Sequence, residues 1–265
     1  MPLLKRDSKQ FNTLTFALHN YTYRVPLSIV VPAFNEENSI ETLFSLVGKF
    51  ALSCKHPVEL VVVENGSKDA TRIKLRDLQL ESYPFSLRLL ELDLNVGYGG
   101  AIRQGIQISK YQEIMILPAD GKYSLIALQN CFQQHMTLAS SMYMVKGHRI
   151  LRNDPFSVRV LSYFYTCLTN LLFQVSLKDT NGLPKVFNKN LIQEHLDELP
   201  SNACFDAGLI ALWRRRNGKF FEVAVEFKQP SLFSTSWAGR RFKVSLAMFW
   251  EVIRFHQYAR KKDRN

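Results

Sequence analysis

The 265-residue sequence is short of negative charge: 23 Asp and Glu stand against 34 Lys and Arg, a formal balance of +11 with a pI near 9.5. That balance excludes an acidic, self-solvating chain and points to an anionic partner: nucleic acid, a phosphorylated ligand or an acidic membrane surface. Long apolar runs are also missing. The nearest approach, Leu161–Val175 (LSYFYTCLTNLLFQV), is interrupted by Ser162, Thr166, Thr169, Asn170 and Gln174. It falls short of the roughly 18 apolar residues of a membrane span and reads as a core or interfacial helix. Residues 1–26, taken as an N-terminal extension, contain no uninterrupted apolar stretch of signal-peptide type. The four cysteines (Cys54, Cys131, Cys167, Cys204) form no CxxC and have no neighbouring His pair. That spacing argues against a zinc site and suits reduced thiols, so a cytoplasmic setting is expected. There is no internal repeat, no low-complexity tract and no nucleic-acid-binding module, so nucleic acid is not the expected partner.

What is present, from Leu27 onward, is an alternation of short apolar runs and helix-length segments. Leu27–Val31, Leu60–Val63 and Ile114–Leu117 are continuous apolar runs, and Leu87–Leu92 is a more polar one. Between them, Glu37–Phe50, Lys68–Leu80 and Gly99–Lys110 are predicted helices, with Asn38 and Glu41 or Ser67 as N-terminal caps. Apolar strands alternating with helices imply an α/β fold whose mostly parallel sheet is covered on both faces. Further strands are expected at Met142–Lys146 and Phe221–Phe227. In such sheets ligands bind outside the carboxyl ends of the strands, so the loops after Val31, Val63, Leu92 and Leu117 should carry function.

Each loop admits two readings. Pro32-Ala33-Phe34-Asn35-Glu36-Glu37 is a turn opening a helix, or an aromatic platform with polar neighbours for a base. Glu64-Asn65-Gly66-Ser67-Lys68-Asp69-Ala70-Thr71 is a turn and cap, or a holder for a ribose or base edge. Asn95-Val96-Gly97-Tyr98-Gly99-Gly100-Ala101, followed by Arg103, is neither GxGxxG nor a P-loop. Its glycines let a helix N-terminus approach another backbone or a ligand phosphate. Leu117-Pro118-Ala119-Asp120-Gly121-Lys122-Tyr123 offers one carboxylate for Mg²⁺ or Mn²⁺, and a lysine able to neutralise phosphate directly.

In order, these segments resemble family 2 GT-A glycosyltransferases. SIVVPAFNEE is similar to their opening strand, and VENGSKDAT to their VDDGSxDxT loop. NVGYGGA is similar to their NxGxGxA helix start, and ADGKY to the DADGQY form of their DxD motif. Lys146-Gly147-His148-Arg149, Asp179-Thr180-Asn181-Gly182 and Phe205–Val225 resemble the GxR, D-x-x-SG-F and closing EVPV segments of one branch, the polyprenyl-phosphate (dolichyl-phosphate mannose synthase-like) glycosyltransferases.

The resemblance implies a GT-A domain over residues 27–239, with a Rossmann-like nucleotide-binding half and an acceptor half. The implied activity is inverting transfer of a sugar from a nucleotide-sugar to a polyprenyl phosphate, in glycolipid or cell-envelope biosynthesis. By the same resemblance Pro32, Phe34, Glu36, Glu64, Asn65, Gly97, Arg103, Ala119 and Asp120 would line the nucleotide-sugar. Asp120, Lys122, Arg149 and Asp206 would be catalytic, with Asp206 the base if the acceptor is a hydroxyl. Arg149, Asn181 and Gly182 would take the acceptor phosphate, with Arg159 and Lys178 as secondary candidates. Two positions depart from the family. Asn65 replaces a base-reading Asp. Pro118 replaces the first Asp of DxD, which leaves Asp120 alone to meet a divalent cation and casts Lys122 as its substitute.

Residues 240–265 form a further expectation. Phe242, Leu246, Phe249 and Ile253 repeat at helical spacing beside Trp250, with Arg240, Arg241, Lys243, Arg254, Arg260, Lys261 and Lys262 around them. A basic amphipathic helix of this kind suits a peripheral anchor on an anionic, cytoplasmic membrane face. It equally suits packing on its own domain, on a membrane-protein partner or on a second copy. Two other functions stay open: a soluble glycosyltransferase with a saccharide or protein acceptor, and a non-catalytic nucleotide-sugar-binding module.

Overall fold

A computed structural model describes residues 24–150, 156–226 and 235–262; for 235–246 and Lys262 only the backbone path is described. The expected extension 1–26 therefore lies almost wholly outside the described residues, as do the side chains of Arg240–Leu246 and Lys262.

Seven strands form one sheet in the order β3-β2-β1-β4-β6-β5-β7. They are β1 (Leu27–Ala33), β2 (Val58–Asn65), β3 (Ser86–Leu92), β4 (Glu113–Ile116), β5 (Tyr143–Ile150), β6 (Lys185–Asn188) and β7 (Lys219–Glu226). β6 alone runs antiparallel to its neighbours. The other strands point the same way, so their carboxyl ends share one rim, and the chain also enters β6 from that rim. β1 and β2 are mostly apolar because both faces are covered; every residue of β2 is buried, and Ser28, Glu59, Glu64 and Asn65 are the buried polar exceptions.

The helices are α1 (Ile40–Cys54), α2 (Thr71–Leu78), α3 (Tyr98–Ile108), α4 (Leu125–Leu138), α5 (Phe156–Phe173), α6 (Phe205–Arg215) and α7 (Thr235–Lys262). α1 buries Ile40, Leu43, Phe44, Val47 and Phe50 against the sheet, one stripe at helical spacing. The expected caps are not the ones used. Ser39 precedes α1 and Ala70 precedes α2, and neither side chain accepts a capping hydrogen bond. Ser67 serves the loop before it instead.

α5, α6 and α7 share a second, smaller core built from Tyr165, Phe173, Cys204, Ala207, Ala211 and Val252, with Phe249 and Ile253 packed against it. Of the two readings of the C-terminal helix, packing on its own domain therefore holds for Phe249 and Ile253. Their rings and branches are spent on α5 and α6, and Trp250 stays exposed. No described helix is long and apolar enough to cross a membrane.

Candidate active site

The first two loops after β1 and β2 are laced to each other. Asn35, held at φ 56°, receives a hydrogen bond from Lys68 N on Oδ1 (2.9 Å), and its own N–H donates to Ser67 Oγ (3.1 Å). Glu36 N donates to Thr71 Oγ1 (2.7 Å), and Ala70 N donates to Glu37 Oε2 (2.9 Å). The NEE and SKDAT segments thus spend most of their polar atoms on one another. Phe34 and Glu36 remain at the rim, with Phe34 exposed and Pro32 and Glu36 half-buried.

Two residues expected at the nucleotide are turned inward. Glu64 is fully buried; its carboxylate accepts from Ser67 N (2.6 Å) and Arg72 Nε (2.6 Å). An acid so engaged shapes the loop and does not reach a ribose. Asn65, buried at the end of β2, accepts from Val96 N (2.9 Å) and donates to Gly97 O (3.2 Å), so it pins the third loop. Its amide suits that double role, because it donates and accepts at once.

In the third loop the glycines make room for another backbone. Gly97, at φ 84°, and Gly99 face the backbone of Pro200–Ser201, and a Cβ on either would lie 2.3 Å or 2.1 Å from a carbonyl oxygen. Gly100 N donates to Ser201 O (2.9 Å). Of the two open readings, close approach to another backbone is the one found. Arg103 is likewise drawn away from the nucleotide side: its guanidinium donates to Asp197 O and Leu199 O, both at 3.0 Å.

The residues that do converge come from β1, β4, β5, the segment before β6, and α6. Lys122 Nζ meets Asp120 Oδ2 at 2.8 Å, following the buried Ala119. Burial raises the Glu36 carboxyl above its ordinary range; the Ser39 hydroxyl opposes the shift, while Asp120 adds to it. Glu36 and Asp120 are therefore close enough to repel. Burial also holds the Tyr98 phenol well above its usual range, reinforced by Asp206, Tyr123 and Asp120 and opposed by Arg149.

Arg149, at the end of β5, grips Asp179 in a two-pronged pair, Nε to Oδ2 at 2.7 Å and a terminal nitrogen to Oδ1 at 2.9 Å. Burial works against the Asp179 charge, yet the Arg149 guanidinium prevails and holds the carboxyl well below the usual range. Beside it, Asn181 Oδ1 and Thr180 Oγ1 are buried with no hydrogen-bond partner among the described residues. Buried polar atoms are rarely left unmatched, so this pair of oxygens is suited to a ligand. Gly182 is there because the segment crosses β5 closely: a Cβ would lie 2.0 Å from Gly147 O. Of the secondary candidates, Arg159 is exposed on α5 and Lys178 is exposed beside the segment.

Beneath the cleft lies a set of buried charges that the sequence reading missed. Lys185 Nζ meets Asp206 Oδ1 at 2.7 Å, and both side chains are buried. Lys146 donates to Asp179 O and lies 3.3 Å from Glu222 Oε1. Burial pushes the Lys146 ammonium down to about 8, and Lys185 beside it acts in the same direction. Lys185 sits in the strand KVFN, where nothing local distinguishes a buried lysine from a surface one.

A divalent cation held by protein donors alone does not fit these residues. Asp120 is one carboxylate, its Oδ2 is paired with Lys122, and no cluster of three His, Cys, Asp or Glu occurs among the described residues.

Residues 28–216 match the pattern of "Glycosyl transferase family 2". The chain belongs to that family. Among curated relatives of this family 2 chain, a dolichyl-phosphate beta-glucosyltransferase of Dictyostelium discoideum is 27% identical over 77% of the chain and 66% of its own length. One from Drosophila melanogaster is 28% identical over 92% of the chain and 80% of its own length. A dodecaprenyl-phosphate galacturonate synthase of Rhizobium johnstonii is 29% identical over 63% of the chain. The chain thus spans 66% of the first relative's length and 49% of the Rhizobium protein's. The GT-A fold is shared with glucosyl-3-phosphoglycerate synthase of Mycobacterium tuberculosis, crystallised with Mg²⁺ and uridine diphosphate. That likeness has a TM-score of 0.63 at 14% identity and covers 87% of the chain and 79% of that structure.

Proposed function

We propose that the chain transfers a sugar from a nucleoside-diphosphate sugar to a polyprenyl phosphate, with inversion, at a membrane surface. One observation carries the reading: the Asp120–Lys122 pair and the Arg149–Asp179 pair both lie within electrostatic reach of the buried Tyr123, so a lysine and an arginine stand on either side of one point at the sheet rim. The relatives in Dictyostelium, Drosophila and Rhizobium, which act on dolichyl and dodecaprenyl phosphates by name, suggest the acceptor class.

The chemistry needs little from the protein. A phosphate monoester is mostly dianionic near neutrality, its second pKa being about 6. Its oxygen attacks the anomeric carbon from the face opposite the diphosphate as the bond to the leaving oxygen breaks. No proton need be taken from the acceptor. Charge then builds on the departing nucleoside diphosphate, where Lys122 stabilises it once its ammonium turns from Asp120 toward the diphosphate. Pro32, Phe34 and Glu36 border the nucleotide side, while Arg149, positioned by Asp179, faces the acceptor phosphate together with Asn181. Asp206 is held by Lys185 in the first turn of α6. If the acceptor were a saccharide or protein hydroxyl, Asp206 would instead have to leave that lysine and accept the proton.

The test is transfer from a panel of nucleotide-sugars to a short-chain isoprenyl phosphate, with EDTA or with Mn²⁺. Lys122→Ala is expected to lower kcat by about 100- to 1,000-fold, and EDTA is expected to leave wild-type activity in place. Full activity of Lys122→Ala, or complete loss on chelation restored by Mn²⁺, overturns the role given to Lys122.

A further inference from the structure

The reading above requires a membrane-borne acceptor, and the surface that meets the membrane has not been located. α7 is the obvious candidate by sequence, but Phe249, Val252, Ile253 and Ala259 are turned onto its own domain. α5 presents the opposite picture.

Along α5, Phe156 (79% exposed), Tyr163 (67%), Phe164 (56%) and Leu171 (77%) stand in solvent. At helical spacing they fall, with Val160 and Cys167, within an arc of about 100°. Tyr165, Thr166, Thr169 and Phe173 occupy the other side and are buried. The helix is thus apolar on both faces, and among the described residues only one of them is covered. Exposed large apolar residues gathered on one face mark an interaction surface.

Charge identifies what covers it. Where α5 ends, a groove of about 590 Å³ opens between α5, α6 and α7. Buried Phe173, Ala211 and Ala259 line its floor, with Leu171, Arg214, Arg215 and Arg260 at its rim beside Gln174 and His256. Arg215 leans on Glu198 at 3.3 Å; Arg214 and Arg260 are exposed. Apolar floor and cationic rim match a lipid's acyl chain and its acidic headgroup. The other end of α5 lies close in sequence to Arg149, at the acceptor side of the cleft.

We propose that the solvent face of α5, with the arginine-rimmed groove at its end, docks the protein onto a bilayer containing acidic phospholipid. This surface rests on the polyprenyl-phosphate reading for its purpose, and its test is separable from that reading.

Full-length protein is mixed with vesicles of neutral phosphatidylcholine or of phosphatidylcholine with 30 mol% phosphatidylserine, and binding is measured by flotation. The wild type is expected to bind the acidic vesicles at least tenfold more tightly. Phe164→Ser/Leu171→Ser and Arg214→Glu/Arg260→Glu are each expected to lose at least tenfold, whereas Ile73→Ser, an exposed apolar change on α2, keeps wild-type binding. Transfer to a water-soluble short-chain isoprenyl phosphate should be unchanged in all three variants, which also reports their folding. Transfer to a long-chain acceptor in vesicles should fall only in the α5 and groove variants. Equal binding to neutral and acidic vesicles, or wild-type binding by both variants, overturns the proposal. So does light scattering that shows a dimer lost in Phe164→Ser/Leu171→Ser with no vesicle binding by the wild type, which gives the face to a second copy. Vesicle binding that follows the pattern above, without transfer to any acceptor, supports the docking surface and refutes the transfer reaction instead.

Discussion

Replacing Lys185 by Met removes one half of a buried ion pair and leaves the Asp206 carboxylate with 7% of its side chain exposed. Breaking a buried pair from one side costs about 3–5 kcal/mol, because the remaining charge has neither water nor partner. The neighbourhood makes the two single changes unequal. Lys146 lies directly across from Lys185 in the antiparallel β5–β6 pairing, and like charges so placed repel. Lys185→Met relieves that repulsion; Asp206→Leu leaves two ammoniums side by side with one carboxylate fewer. Asp206→Leu should therefore be the worse single variant, near the upper end of that range. The double variant Lys185→Met/Asp206→Leu fills the site with apolar side chains of similar size and should return to within about 1–2 kcal/mol of the wild type. Urea unfolding of the four proteins, followed by circular dichroism, gives a coupling energy expected to exceed about 2 kcal/mol. Additive losses, or an Asp206→Leu variant more stable than Lys185→Met, would refute the argument. The double variant also separates roles: if it is stable and transfers sugar, Asp206 is architectural.

Other expectations follow from particular contacts. The Lys146 ammonium is pushed down to about 8 in the fold and lies near 10.4 when unfolded. Between these values the unfolded chain holds the extra proton, so this residue's contribution to stability rises with pH. Urea midpoints of wild type and Lys146→Met measured across pH 7.5–10.5 should diverge in the wild type's favour as pH rises. Gly99→Ala places a methyl 2.1 Å from Pro200 O and 2.7 Å from Phe205 Cβ; the start of α3 must shift, at a cost of about 1–3 kcal/mol, read as a lower melting temperature. Arg149→Lys keeps the charge but loses the two-pronged grip on Asp179. Transfer should fall at least tenfold, with a larger rise in acceptor KM than in donor KM.

The sheet was legible wherever burial on both faces leaves an unbroken apolar run. β1, β2 and β4 fall where LSIVV, LVVV and IMIL predict them, and α5 covers most of the stretch read as a core or interfacial helix. β6 was not legible, because a four-residue strand containing a buried lysine resembles a polar connection. Motif order offered Asp120, Lys122, Arg149, Asn181 and Gly182 as site candidates; the structure pairs Lys122 with Asp120, and Arg149 with Asp179 beside Asn181. Glu64, Asn65, Gly97 and Arg103 belong to the same motifs, yet their polar atoms or open backbone are spent on neighbouring loops. Loops that must hold a shape without regular structure consume much of their own polarity, and sequence spacing does not separate that use from ligand contact.

The single reversed strand makes the sheet a joined object with a seam. On one side β3, β2, β1 and β4 are complete by residue 116; on the other, β5 and β7 pair along eight registers. Only β6 connects them, through four registers to β4 and two to β5. β5 and β7 pair across a long stretch of chain, Tyr143 with Lys219, and β6 comes from within that stretch and closes the sheet between them and β4. The segment at residues 179–184, which carries Asp179 and Asn181, leads directly into that closing strand. The loop that holds Arg149 is thus anchored at the seam itself, where the sheet has its shortest strand pairings.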